Sequence, residues 1–109
     1  MADLTKNEET VLLAAYRLGE TAYGISIRSW IRQMTGKEWN VGTLHCTLDQ
    51  LVKKNLVSKY EGKPISERGG RRKIYYSVTT SGRLALQNAL ALHRTLWQDI
   101  NEIPTEGSN

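Results

Sequence analysis

The sequence of 109 residues has little of several features that mark whole classes of proteins. Its single cysteine, Cys46, cannot close an intrachain disulfide, which fits a reducing cytosol. No apolar run approaches the roughly 18 residues that a membrane span needs. The first residues lack the basic and apolar regions of a secretory signal, and no Asn-x-Ser/Thr sequon is present. We therefore expect a cytoplasmic protein with no membrane partner.

Groups that serve catalysis or metal binding are also scarce. The sequence has two histidines, His45 and His93, and it has no P-loop, no GxGxxG motif and no metal-ligand spacing. Because His45 and Cys46 are adjacent, their side chains on a helix diverge by about 100° and cannot form a catalytic dyad. We predict no catalytic residue, no metal, no cofactor and no enzymatic activity.

The composition is that of one globular domain, with 39% hydrophobic and 24% charged residues. The net charge of +4 is unevenly distributed along the chain. Residues 53–73 hold eight basic and two acidic residues, a net charge of +6, whereas the seven basic and nine acidic residues elsewhere give −2. A concentrated basic segment attracts a polyanion, although a solvated surface is the alternative interpretation.

The periodicity of apolar residues predicts helices over about residues 5–19, 23–36 and 41–54. The first begins at a capping box formed by Thr5 and Glu8, and the first two end at glycines.

Beyond Asn55, which we expect to end the third helix, the apolar period changes from 3.6 to 2. This change predicts the strands Leu56–Glu61 and Lys73–Val78, joined by a polar loop that is rich in glycine. A last helix is predicted to end before Pro104.

This order of elements is that of a winged helix-turn-helix, a mainly α fold with a small β-hairpin. We predict a winged DNA-binding domain over residues 1–78, a long C-terminal dimerisation helix over residues 79–103 and a flexible tail over residues 104–109.

In a helix-turn-helix the second helix of the motif, here the third helix of the chain, enters the major groove of DNA. With its leucines facing inward, its outward positions carry small and polar groups that suit contact with bases and phosphates. Gln50 is alternatively a merely solvated residue, and Cys46 an inert small residue rather than a redox sensor. The predicted DNA contacts of this region are Asn40, Thr43, His45, Cys46, Gln50 and Lys53.

The loop of the predicted hairpin is the more specific signal. Two glycines, Gly69 and Gly70, allow its backbone to lie close to a surface, and the cations that follow can neutralise phosphates and release counterions. The predicted contacts with the DNA backbone are Arg68, Arg71, Arg72 and Lys73.

The last helix carries one apolar stripe with heptad spacing and a second stripe beside it, formed by Ala85, Ala89, Leu92 and Leu96. Together they cover too wide an arc for one small domain, so we predict that one stripe packs within the chain and the other forms a homodimer. Alternatively, both stripes pack within one chain. The predicted dimer residues are Leu86, Leu90, His93, Leu96, Trp97 and Ile100.

His93 and Trp97 face the same side of that helix. They could line a cleft between protomers that accepts a small aromatic effector, although a packed histidine and an ordinary core aromatic are the simpler interpretation.

Three stretches resemble the PadR-like transcriptional regulators, in particular their short, single-domain members. They are Tyr23–Ile27, Gly42–His45 with the leucines that follow, and Gly69–Gly82, which reads GGRRKIYYSVTTSG and is similar to the family signature GGRRKYYxLTxxG. The family usually has an aromatic residue at the position of His45.

The resemblance implies a dimeric repressor that binds promoter DNA in the cytoplasm of a prokaryote, associated with the nucleoid. It also implies that Tyr23 lies among the DNA contacts. It further implies that the C-terminal helix of one protomer packs against the first and last helices of its partner. Some family members respond to phenolic or drug-like ligands.

We therefore predict a sequence-specific regulator that binds double-stranded DNA as a homodimer. The alternative is a winged-helix module that binds another protein and not DNA, although such modules lack basic wings. RNA binding is a weaker alternative, because it needs exposed aromatic residues and strand alternation buries either Tyr75 or Tyr76.

Overall fold

The structure, a computed structural model, describes residues 3–62 and 73–106. The predicted wing cations Arg68, Arg71 and Arg72 lie outside the described residues. The elements are helix α1 (Lys6–Leu18), a 3₁₀ turn (Gly19–Thr21), helices α2 (Gly24–Thr35) and α3 (Val41–Lys53), strands β1 (Val57–Glu61) and β2 (Ile74–Val78), and helix α4 (Thr80–Leu96).

Three of the predicted helix ends are confirmed by hydrogen bonds and backbone angles. At the start of α1 the Glu8 N–H donates to Thr5 Oγ1 at 3.1 Å, and the Thr5 N–H donates to Glu8 Oε1 at 2.9 Å. Gly36 ends α2 in a left-handed conformation with φ of 75°. Asn55 follows α3 with φ of 62°, a value that asparagine tolerates better than most residues with a side chain.

The hairpin is antiparallel, with Val57 opposite Val78 and Lys59 opposite Tyr76. Each strand starts one residue later than predicted. The Leu56 N–H donates to the Leu51 carbonyl at 2.9 Å, so Leu56 closes the end of α3 instead of opening β1. Lys73 precedes β2, and its carbonyl accepts a hydrogen bond from the Gly62 N–H at 2.8 Å.

A third segment, which the sequence did not indicate, pairs with the hairpin. The Tyr76 N–H donates to the Ala22 carbonyl at 2.9 Å, and Tyr23 forms an isolated antiparallel bridge with Tyr75. These contacts attach β2 to the backbone just before α2. The hairpin and the start of α2 therefore belong to one hydrogen-bonded unit.

The core lies between α1, α2, α3 and the inner face of the hairpin. The predicted leucine stripe of α3 is confirmed, because Leu44, Leu48 and Leu51 are buried. The buried apolar residues are Val11, Leu12, Ala14, Ala15, Ala22, Ile27, Ile31, Leu44, Leu48, Leu51, Leu56, Val57, Tyr76 and Ala85.

The last helix is shorter than predicted. It ends at Leu96, and the chain then turns through Asp99, whose φ is 64°. The prediction of a helix up to residue 103 was wrong, and Ile100 lies beyond the helix instead of in its heptad seam. Apolar periodicity continues through this segment, but the left-handed backbone at Asp99 cannot continue a right-handed helix.

The two apolar stripes of α4 do not divide as predicted. Near the start of the helix, Ala85 of one stripe is buried and Leu86 of the other packs against the core. Further along, Leu90, Leu92 and Leu96 of both stripes are exposed. The packed residues are therefore those at the start of α4, and the exposed ones are those further along, because α4 extends beyond the domain on which its first turns pack. Within the described residues no helix is both long and apolar enough to cross a membrane.

Candidate nucleic-acid interface

The start of α3 is fixed by its preceding residue, Asn40. The Asn40 Oδ1 atom accepts hydrogen bonds from the N–H groups of Gly42 at 2.7 Å and Thr43 at 3.3 Å. An added Cβ at Gly42 would lie 3.0 Å from that oxygen, so a glycine there leaves room for the cap. The cap holds the first turn of the predicted recognition helix at the surface, where its positive dipole end suits an anion.

The outward face of α3 carries the side chains predicted from its helical period. Thr43, Cys46, Gln50 and Lys53 are all exposed, whereas Thr47 on the inner side is buried and its hydroxyl donates to the Thr43 carbonyl at 2.8 Å. The exposed row combines a hydroxyl, a thiol, an amide and an ammonium group. It therefore presents hydrogen-bond donors and acceptors to a partner along more than two turns of helix.

A cleft of about 640 Å³, which we call the basic cleft, lies between the starts of α2 and α3 and the hairpin. Its lining includes four cationic side chains and a single carboxylate. The lining residues are Tyr23, Gly24, Ile25, Arg28, Ser29, Arg32, Glu38, Val41, Leu44, His45, Lys59, Lys73, Ile74 and Tyr76.

The arginines of the basic cleft are held by that carboxylate. Arg28 lies 3.2 Å and Arg32 3.5 Å from carboxylate oxygens of Glu38, and the Arg28 Nε–H donates to the Trp39 carbonyl at 2.6 Å. Two arginines share one acid, so the group keeps a positive charge. With Lys59 and Lys73 on the hairpin side, the cleft has the positive charge to attract a polyanion.

Lys73 and His45 occupy defined places in the basic cleft. The Lys73 Nζ atom lies 4.2 Å from the centroid of the Tyr23 ring, a cation–π contact. The His45 ring lies over Gly24, where an added Cβ would be 3.7 Å from His45 Cε1. An added Cβ at position 24 would thus make an ordinary van der Waals contact with the imidazole at the start of α2.

The far end of α3 is anchored to α1 by an ion pair. Lys54 Nζ lies 2.7 Å from Glu8 Oε1, and Glu8 is buried. Burial alone would raise the pKa of the Glu8 carboxyl. The hydrogen bonds from Lys54 and Thr5 and the charge of Lys54 outweigh it, so the pKa lies below its usual value. The ionised carboxylate thus fixes both the cap of α1 and the end of α3.

A second cleft, which is apolar, lies between α1 and α4. It is a groove of about 630 Å³ that includes Leu13, Tyr16, Leu86 and Leu90, and we call it the α1–α4 groove. At its end His93 and Trp97 stack with ring centroids 5.8 Å apart, which confirms that they face the same side of the helix.

Most of the chain matches the model of a known protein family. The model of the transcriptional regulator PadR-like family matches residues 12–88. The chain belongs to this family. Its winged helix-turn-helix, the elements in their order and the long last helix agree with that membership.

Solved structures of other proteins have the same fold. RosR from H. salinarum is 27% identical, with a TM-score of 0.70 over 93% of this chain and 82% of that chain. A PadR family transcription regulator from Clostridium difficile is 23% identical, with a TM-score of 0.67 over 85% of this chain and 94% of that one. No curated protein matches the chain.

The predicted DNA contacts of this chain lie in two groups in the structure. Tyr23, His45 and Lys73 line the basic cleft, and the four predicted side chains of α3 project from the neighbouring surface. Asn40 is exposed, and its side-chain oxygen serves as the cap of α3. The predicted contacts Arg68, Arg71 and Arg72 stay predictions, because they lie outside the described residues.

Sequence reasoning missed the cationic contribution of α2. Arg28 and Arg32 are four residues apart, a spacing that places both on one face of a helix, and this signal was available. What the spacing does not tell is that this face borders the hairpin. Among residues 3–62 and 73–106, no three His, Cys, Asp or Glu side chains gather into a group that could hold a metal ion.

Proposed function

We propose that this PadR-like chain binds double-stranded DNA as a homodimer and represses transcription. In this proposal α3 enters the major groove, while the basic cleft and the wing hold the phosphate backbone. The observation that carries it is the position of the cationic cleft directly beside the polar outer row of α3. One surface thus offers groups that read bases next to groups that neutralise phosphates.

The positive charge of the basic cleft and the two helix N-termini beside it favour an anionic partner. Two helices begin at the basic cleft, and the N-terminal ends of helices favour phosphate. The cleft also has apolar walls, which allow close approach of a deoxyribose. A protein partner would need matching acids across the same area, whereas a DNA backbone supplies regularly spaced negative charge.

The apolar residues of α4 support the dimer. Leu96 is 66% exposed and Trp97 48% exposed in the single chain, and Trp97 stacks on His93, which lines the α1–α4 groove. An apolar surface of this kind marks a contact with another protein, and a second copy related by twofold symmetry would cover both copies at once. Such a dimer would present two copies of α3 to two half-sites.

DNA binding is tested by capture of genomic fragments on the purified protein, followed by affinity measurement on a recovered fragment at several salt concentrations. If the dimer neutralises about eight phosphates, log K falls with log salt with a slope of roughly −7. Failure to retain any fragment at low salt, or a flat salt dependence, contradicts the proposal and favours the protein-interaction alternative.

Two variants separate base contacts from backbone contacts. Gln50→Ala should change the preference among related fragments by about tenfold or more, since a bidentate base contact discriminates by that amount. Lys53→Gln should weaken binding to all fragments alike and reduce the salt slope by about 1 per protomer. Arg17→Gln, which removes one charge in the last turn of α1, is the matched control. It should change neither the preference among fragments nor the salt slope.

The wing cations are tested in the same assay. Replacing both Arg71 and Arg72 with alanine should weaken binding uniformly across sequences while the circular dichroism spectrum stays that of the wild type. Unchanged affinity would mean that the wing is not the main contact with the DNA backbone, and it would assign that contact to the basic cleft.

Repression, localisation on a prokaryotic nucleoid and response to an aromatic effector are the parts of the proposal that rest on the family resemblance. For the effector, the stacked His93 and Trp97 supply the local support. A reporter gene under the recovered fragment tests the direction of regulation. An aromatic ligand that releases the DNA from wild type but not from Trp97→Leu supports the effector.

A further inference from the structure

Three tyrosines form a cluster at the outer end of the hairpin, where Tyr60 pairs with Tyr75 next to the pair of Glu61 and Ile74. The Tyr75 ring meets the Tyr23 ring edge-on, with centroids 5.5 Å apart and planes at 62°. On its other side Tyr75 stacks on Tyr60 of β1, with centroids 5.7 Å apart and planes at 21°. Tyr75 is therefore the central ring, and it links the strand β1 to the start of α2.

Backbone contacts also hold the hairpin against the start of α2. The bridge between Tyr23 and Tyr75 and the hydrogen bond from Tyr76 to Ala22 tie β2 to the residues before α2. The Gly62 N–H donates to the Lys73 carbonyl, and a Cβ at Gly62 would collide with the Tyr75 ring. The ring therefore packs against the backbone of the opposite strand as well as against two other rings.

An isolated two-stranded hairpin is only marginally stable in water, so its orientation depends on what it packs against. Here the outer part of the hairpin packs on the start of α2 through Tyr75. Lys73 precedes Tyr75 by two residues and places its ammonium group over the Tyr23 ring at the edge of the basic cleft. The position of this cation thus depends on contacts that Tyr75 makes.

We propose that Tyr75 is a positioning residue for DNA binding: it holds the hairpin against the start of α2 so that Lys73 stays over Tyr23 and meets a backbone phosphate at the basic cleft. This proposal rests on the DNA-binding function proposed above. Tyr75 itself need not touch the DNA. Its aromatic ring is the group that matters, and its hydroxyl is dispensable.

The test compares Tyr75→Ala, Tyr75→Leu and Tyr75→Phe with Lys73→Gln and with the double variant Tyr75→Ala/Lys73→Gln. Tyr75→Ala and Tyr75→Leu should each weaken DNA binding by about two- to fivefold per protomer and reduce the salt slope by about 1 per protomer. Tyr75→Phe should bind as the wild type does. Once Lys73 is replaced, the further loss caused by Tyr75→Ala should be less than about twofold, because the two residues act through one contact.

Val78→Ala is the matched control for a general loss of hairpin stability. Val78 lies three residues further along the same strand and is partly buried, and it takes no part in the tyrosine cluster. It should lower the melting temperature and leave the salt slope unchanged. Additive effects of Tyr75→Ala and Lys73→Gln, or a slope change in Val78→Ala equal to that in Tyr75→Ala, would overturn the proposal.

A measurement without DNA separates this proposal from the DNA-binding function. A methylene group beside an ammonium that lies over a ring face is shifted upfield in the proton NMR spectrum. The Lys73 side-chain resonances should show this shift in wild type and Tyr75→Phe and lose it in Tyr75→Leu. If wild type shows the shift but binds no DNA, only the DNA function fails. If Tyr75→Leu keeps the shift, the positioning role fails.

Discussion

Helices α3 and α4 carry similar apolar periodicity, yet the fold uses them in opposite ways. In α3 the leucine stripe is fully buried within the chain, and the polar face is left outward. In α4 only the first turns pack on the domain, and the apolar residues from Leu90 onward stay exposed. A periodic stripe thus shows which face of a helix is apolar, whereas the length of the surface beneath it decides how much of the stripe is buried.

The two helices also differ in how their ends are held. Asn40 caps the start of α3, and the ion pair of Lys54 with Glu8 anchors its end to α1. Thr79 caps the start of α4 by accepting from the Gly82 N–H at 2.9 Å. The end of α4 has no comparable anchor among the contacts of the described residues. A helix fixed at both ends suits a rigid reading surface, and one fixed at its start suits an arm that a partner holds.

The largest effect should come from the buried stripe of α3. Leu48→Ala should lower the free energy of unfolding by about 2–5 kcal/mol, because it leaves a cavity in the core. Chemical denaturation followed by circular dichroism measures this change. Leu92→Ala, the same substitution on the exposed part of α4, should cost less than about 0.5 kcal/mol at a protein concentration low enough to favour monomers. Equal losses would remove the distinction between the two helices.

The exposed end of α4 should control assembly. Trp97→Ala should raise the dimer dissociation constant by about 30-fold or more, since a buried interface tryptophan typically contributes at least about 2 kcal/mol. Sedimentation at several concentrations measures this constant, and Gln98→Ala next to it is the control. A wild type that stays monomeric at micromolar concentration would contradict the dimer and leave α4 without its proposed partner.

The anchor at the end of α3 makes stability depend on pH. The pKa of Glu8 is lower in the folded state than in the unfolded chain, so its contribution is present above the unfolded pKa and is lost as the pH falls through the folded value. Glu8→Gln should lower the free energy of unfolding by about 1–2 kcal/mol at pH 7 and by little below about pH 3. Denaturation curves taken across this pH range measure the difference in stability between wild type and variant. For Glu9→Gln, at the exposed neighbouring position, this difference should not change with pH.

The smallest effect concerns the start of α3. Asn40→Ala should cost about 1 kcal/mol of stability, since it removes the acceptor for two N–H groups of the first turn. DNA affinity should fall with it if the first turn of α3 faces the phosphates. Asn40→Asp keeps an acceptor and should retain stability, and melting curves of the three proteins distinguish these outcomes.

Much of this architecture could be predicted from local chemistry. The capping box at Thr5, the glycine at position 36 and the left-handed Asn55 each require only a few neighbouring residues, and all three are confirmed. The family was also predictable, because the stretch Gly69–Gly82 keeps its order and spacing. The outward row of α3 followed from its period once the buried leucines were identified.

Other features required contacts between distant segments. The basic cleft combines α2, α3 and both strands, and the tyrosine cluster joins Tyr23 to residues more than 30 positions away. The short third segment at Ala22 has no strand pattern of its own, since a single bridge needs no alternation. The end of α4 was predicted too late because apolar periodicity continues past the point where the backbone turns at Asp99.

The sequence by itself determined the class of fold, the ends of the first three helices and the polar row of α3, because capping, turn chemistry and helical period act over fewer than about ten residues. Only the tertiary structure decided which cations meet at one cleft, that Tyr75 stands between Tyr23 and Tyr60, and how far along α4 the core reaches. These outcomes depend on how packed helices and a hairpin are oriented in space, and no local pattern specifies that orientation.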